Sequence, residues 1–186
     1  MKIILLSILF FTSFNYAQTK KREFKGVELI EEFSSKEYSL PKSILFFSAG
    51  HWEIEKFYQI LFKKLKKQLR KENCRTQYKY QLNDSIPSTV NSFSEIQFSD
   101  ILEEETTVCV FALGTVQSNL TRIQKETGQS VFIDPKKTMY FDFYMMLIDM
   151  TDREILLKRK FSVEANEVYY SNNRNLAKAI TQELKM

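Results

Sequence analysis

The chain has 186 residues, 44% of them hydrophobic and 14% aromatic, which is enough for one domain with a core of its own. Its formal net charge of +4 is too mild to imply nucleic acid as a partner, and one histidine with two widely separated cysteines offers no zinc-ligand spacing. Four glycines, Gly26, Gly50, Gly114 and Gly128, leave no glycine-rich phosphate cradle and no dinucleotide fingerprint.

Residues 1–17 read as a secretory signal: Lys2 gives the positive charge, Ile3 to Phe11 the apolar segment, and Asn15-Tyr16-Ala17 a processing site before Gln18. The apolar run is well short of the roughly 20 residues a spanning helix needs. No cysteine stands at the junction, so a lipoprotein anchor is not expected, and export argues further against nucleic acid. Ala17-Gln18 resembles the processing sites of exported Bacteroidota proteins, and Asp84-Ser85-Ile86 resembles their short O-glycan acceptor motif. Cleavage near Ala17 would remove one charged residue, Lys2, leaving 26 basic against 23 acidic side chains and a periplasmic or secreted domain.

Residues 18–41 read as an amino-terminal tail with a short helix over Val27 to Phe33, where Leu29, Ile30 and Phe33 share one side; a strand from Glu23 to Leu29 is the competing reading. Pro41 suits a loop edge, because it has no backbone N–H to donate. The domain proper is expected over residues 42–186. Ser43 to Phe47 is a continuous apolar run of strand length, suited to burial on both faces. Ile54, Phe57, Tyr58, Leu61, Leu65 and Leu69 then recur on one helical face, and Arg75 to Leu82 alternates with the two-residue period of a half-exposed strand. These three segments predict a β-α-β unit.

On the helix, Lys56, Lys63, Lys66, Lys67, Arg70 and Lys71 project away from the apolar stripe with no acid among them. A solvated face complementing the helix dipole explains much of that charge. The functional reading is a docking surface for an envelope protein, or for an anionic lipid or lipopolysaccharide surface. Cys74 and Cys109 are the candidate disulfide in an oxidising compartment, with two small buried apolar side chains as the alternative.

Residues 83–105 form a long polar connection in which Phe93, Ile96, Phe98, Ile101 and Leu102 should fold back onto the domain. Glu103, Glu104 and Glu105 lead into a third strand, Thr106 to Leu113; consecutive strand residues alternate faces, so three acids in a row do not converge on a metal. Thr115 to Gly128 is polar, with Leu120 and Ile123 at helical spacing and a formal N-glycan acceptor at Asn119-Leu120-Thr121. Asp134-Pro135 reads as a turn before the clearest pairing, a hairpin of Met139 to Asp149 with Ile155 to Val163. Phe141, Phe143, Met145 and Leu147 should face the core, and Tyr140, Tyr144, Met146 and Ile148 on the other side suggest a central strand covered on both faces, with a docking surface as the alternative. After Tyr169-Tyr170, Asn172 or Asn173 can cap a final helix carrying Leu176, Ile180 and Leu184.

His51 is the single histidine and could act as an acid or base near a pocket, but no nucleophile motif or G-x-S-x-G elbow accompanies it, and Asp149 and Asp152 fit hairpin-turn chemistry. The expectation is an α+β two-layer sandwich: a mixed, mostly antiparallel sheet with a β-α-β start and helices mainly on one face. Ser43 to Phe47 running into the long helix, then Leu147-Ile148-Asp149 and Lys158-Arg159-Lys160-Phe161-Ser162, give a layout that resembles several bacterial envelope domains. These are the amino-terminal domain of the Tol-system periplasmic protein, the transport-auxiliary lipoproteins and the lipopolysaccharide-assembly lipoprotein. The resemblance implies a partner-binding role in envelope assembly or transport, and the missing anchor cysteine departs from its lipoprotein members. The reading is an exported, non-catalytic accessory or interaction domain with no cofactor and no metal. The competing reading is a small-ligand or lipid-binding protein, or an enzyme with a pocket near His51.

Overall fold

A computed structural model of the chain describes residues 24–35, 38–82, 89–96, 107–127, 130–166 and 171–186, and for 119–137 the backbone alone. The export segment, Asp84-Ser85-Ile86, Glu103 to Glu105 and Tyr169-Tyr170 lie outside the described residues. The strands are β1 (Val27–Ser34), β2 (Ser43–Gly50), β3 (Arg75–Leu82), β4 (Thr107–Thr127), β5 (Ser130–Asp149) and β6 (Glu154–Asn166); the helices are α1 (Trp52–Leu69) and α2 (Asn173–Glu183). The strands make one six-stranded sheet in the order β1-β6-β5-β4-β2-β3. Pairing is parallel on both sides of β2 and antiparallel elsewhere. This is the mixed, mostly antiparallel α+β arrangement expected from the sequence.

Parallel strands need a crossover, and α1 supplies it between β2 and β3, with Phe46 opposite Tyr78 on one side and Cys109 on the other. The apolar run of β2 follows from that central position, since Ile44 and Phe46 enter the helix-side core while Leu45 and Phe47 enter the other. Phe57, Tyr58, Leu61, Leu65 and Leu69 of α1 join Leu176, Ala177, Ile180 and Leu184 of α2 in the helix-side core. Each such side chain contributes roughly 1.5–3 kcal/mol by leaving water. Asn73 ends the helical segment in the left-handed region, at φ 58°, a conformation Asn tolerates better than most residues.

The opposite face of the sheet is covered by residues 89–96. Val90 and Ile96 pack with Leu45, Phe47, Val108, Val110, Tyr144, Met146 and Ile148. Val90 N–H donates to the Leu113 carbonyl at 2.7 Å, and Tyr144 Oη donates to the Asn91 carbonyl at 2.9 Å. β5 is therefore central, with β4 and β6 beside it and apolar residues on both faces.

Three expectations are corrected. Val27–Ser34 is an edge strand, not a short helix, because it pairs along the free side of β6 with a bulge between Leu29 and Glu31. The sheet thus takes in residues assigned by sequence to an amino-terminal tail. Thr115 to Gly128 is not helical: β4 continues to Thr127 and pairs with β5 back to Ser130, so Asp134-Pro135 lies within a strand and not at a turn. Among the described residues β6 pairs with β5 as far as Thr138, and Pro135 pairs with Arg122 of β4. Cys74 and Cys109 are free, buried thiols. β2 lies between their strands, a separation of two strand spacings or roughly 9–10 Å, beyond the ~7 Å reach of a disulfide.

Candidate cationic docking site

With its apolar stripe committed to the core, α1 leaves Lys56, Lys63, Lys66, Lys67, Arg70 and Lys71 exposed. The helix sorts these cations into two ridges. Lys63, Lys66 and Arg70, three and four residues apart, share one ridge. Lys64, Lys67 and Lys71 share the other and line a groove of about 1010 Å³ with Arg174, Lys178 and Lys185 from the α2 side. Six cations therefore border one concavity. Glu72 is the single acid on its wall, and Lys185 Nζ holds it at 2.7 Å. Lys63, Lys66, Lys67, Arg70 and Lys71 have no ion-pair partner among the described residues.

The two helices run in the same direction. Near the start, Asn173 Nδ2 donates to the Phe57 carbonyl at 3.1 Å; near the end, Lys185 meets Glu72. Both helix carboxyl ends therefore lie at the Lys71–Lys185 end of the groove. Each carries about half a negative charge. With Glu72 this accounts for about two of the six positive charges lining the groove, so dipole compensation leaves most of the cationic charge unexplained.

The α2 cations escape the sequence reading, although Arg174 and Lys178 stand on the polar side of the stripe Leu176, Ile180 and Leu184. That polarity is legible; the adjacency to α1 comes from tertiary packing. Asn172 occupies the N-cap position without a side-chain cap. Its Nδ2 instead reaches the carbonyls of Lys25, Gly26 and Glu164 at 2.9–3.0 Å, tying α2 to β1 and β6.

A second cavity, of about 810 Å³, opens between β1, β6 and α2 and is lined by Val27, Leu29, Tyr140, Phe161, Gln182 and Glu183 among others. Its Glu183 is already engaged by Arg159. Neither cavity includes His51, whose Nδ1 lies 3.9 Å from Glu53 Oε2 at the start of α1. The His51 side chain makes no cap hydrogen bond; its carbonyl accepts one from Tyr80 Oη at 2.6 Å. Burial pushes the Cys109 thiol and the Tyr58 phenol well up from their ordinary values, as it does less strongly for Cys74. No group of three His, Cys, Asp or Glu side chains that could hold a metal occurs among the described residues. No helix among them is long and apolar enough to cross a membrane.

No family model matches the sequence, and no curated protein does. Solved structures with similar coordinates include a PelC dodecamer from Paraburkholderia phytofirmans, at 10% identity and TM-score 0.44, covering 86% of this chain and 99% of that one. A PDZ domain protein from Parabacteroides distasonis matches at 9% identity and TM-score 0.42, over 85% of this chain and 36% of that one. A minor lipoprotein from Acinetobacter baumannii matches at 9% identity and TM-score 0.35, over 75% of this chain and 91% of that one.

Proposed function

We propose that the chain is an exported, non-catalytic accessory domain of a bacterial envelope, which docks on an anionic envelope component through the cationic surface of α1 and α2. The observation that carries this reading is the gathering of six cations from two helices around one groove, against a single acid that is already paired. Such a surface raises the local concentration of an anionic partner and guides its approach, and salt weakens both effects. Export rests on the signal-like residues 1–17, with cleavage near Ala17. The non-catalytic part rests on the sequence, in which no nucleophile motif surrounds His51.

The test is in-cell crosslinking followed by affinity purification from the envelope, comparing wild type with the variant Lys63→Glu, Lys66→Glu, Arg70→Glu. The expected result is an envelope component recovered with wild type and lost with the variant. Recovery of the same components with both would remove the Lys63–Lys66–Arg70 ridge as the docking surface.

A further inference from the structure

We propose that the α1–α2 groove binds the phosphate groups of anionic lipid headgroups, placing this end of the domain against a membrane surface. The inference rests on the docking reading and deepens it: within that cationic surface it assigns the lipid contact to the groove wall and not to the Lys63–Lys66–Arg70 ridge. Two observations converge on it. First, the groove cations are five lysines and one arginine, point charges on flexible stems that suit phosphates presented at variable positions. Lys64 to Lys71 covers about 10 Å along α1, room for more than one headgroup.

Second, Phe24 and Met186 also line the groove, and Met186 is 57% exposed. Apolar side chains beside a cationic row fit an amphiphile, whose phosphate meets the lysines while the adjoining apolar part meets the rim. A purely ionic soluble ligand gains nothing from Met186. The groove itself gathers six basic side chains, Lys64, Lys67, Lys71, Arg174, Lys178 and Lys185. A cluster of four to eight basic residues is the usual size of an anionic-lipid site, and each contributes independently near a charged surface.

Glu72 adds an internal control. Its carboxylate holds Lys185 at 2.7 Å inside the groove, so it both repels phosphate and occupies one cation.

The experiment is co-sedimentation of the purified protein with vesicles of phosphatidylglycerol in phosphatidylcholine, against vesicles of phosphatidylcholine alone. The groove variant is Lys67→Glu with Lys178→Glu, and the ridge variant Lys63→Glu with Lys66→Glu makes the same change in net charge. Circular dichroism confirms folding of each. The proposal expects binding to the anionic vesicles alone, a loss of roughly tenfold or more in the groove variant, a smaller loss in the ridge variant, and tighter binding by Glu72→Gln. Equal losses in both variants would mean that net charge alone acts, and would overturn the groove as a site. Absence of vesicle binding would overturn it as well, as would groove-dependent binding of inorganic polyphosphate that anionic vesicles do not displace. A protein captured through the ridge without any vesicle binding would refute the lipid assignment and leave docking standing. Groove-dependent vesicle binding with no α1-dependent crosslink would retain the lipid site and refute the ridge.

Discussion

Arg159 on β6 donates from Nε to Glu183 Oε2 of α2 at 2.6 Å, and both side chains are almost completely buried. The same guanidinium donates to the Phe33 and Lys158 carbonyls and, at 2.8 Å, to Ser34 Oγ, so one side chain ties β6 to the end of β1 and to the last turn of α2. Desolvating two charges offsets most of their attraction, but removing one partner strands the other in the core. Glu183→Gln should therefore destabilise the fold by about 3–5 kcal/mol in urea titrations, whereas Arg159→Met with Glu183→Leu should be close to neutral. A double variant no more stable than the single one would contradict this.

Thiol reactivity gives a second prediction. Burial holds Cys109 protonated well above the ordinary thiol value of 9.0 and Tyr58 above the ordinary phenol value of 10.0. These groups ionise in the unfolded chain before they do in the folded one. The unfolded state therefore binds fewer protons at alkaline pH, and stability is retained below about pH 9 and lost as pH rises beyond it. Denaturant midpoints should fall from pH 8 to pH 11. Native protein should also resist alkylation at Cys109 at pH 8 and yield two free thiols on unfolding.

Gly26 stands at φ +70°, where a Cβ would lie 2.6 Å from Asn172 Nδ2. A side chain there meets both a strained backbone and the amide that ties α2 to the first strand. Gly26→Ala should cost about 1–3 kcal/mol. Hydrogen exchange should show the loss concentrated in Val27–Ser34.

Residues 89–96 should behave as a separable cover. Phe93 meets Tyr144 edge-on at 5.1 Å between ring centroids, and Tyr144 Oη bonds to the Asn91 carbonyl. Tyr144→Phe should cost about 0.5–1.5 kcal/mol and raise exchange at Val90 more than in β2. Uniform destabilisation of the sheet would show that the segment is integral to it.

The sequence reading succeeds where a periodic pattern meets one dominant environment. The β2–α1–β3 crossover and the β5–β6 hairpin are legible because their apolar positions repeat at helix or strand period and most are buried. It fails where the environment is assembled from afar. β1 exposes Glu28, Ile30, Glu31, Glu32 and Phe33, so no alternation marks it, and pairing with β6 decides its conformation. Among the described residues the distal β4–β5 ribbon pairs with itself beyond Thr138, so no third described strand imposes a period on it. Arg159 looks like one of three solvated basic residues, yet it shares strand parity with Leu157 and Phe161, which is the signal of its burial. The α1 cations are visible in the sequence; their convergence with Arg174, Lys178 and Lys185 depends on two helices lying side by side.

The most direct test of the docking claim is the salt dependence of association with washed envelope fractions, using purified wild type and the folded variant Lys63→Glu, Lys66→Glu, Arg70→Glu. Wild type should be retained at low ionic strength and released progressively as salt rises, with the variant released at lower salt than wild type. Equal retention of both proteins, or retention of wild type that salt does not change, would contradict an electrostatic docking surface on α1.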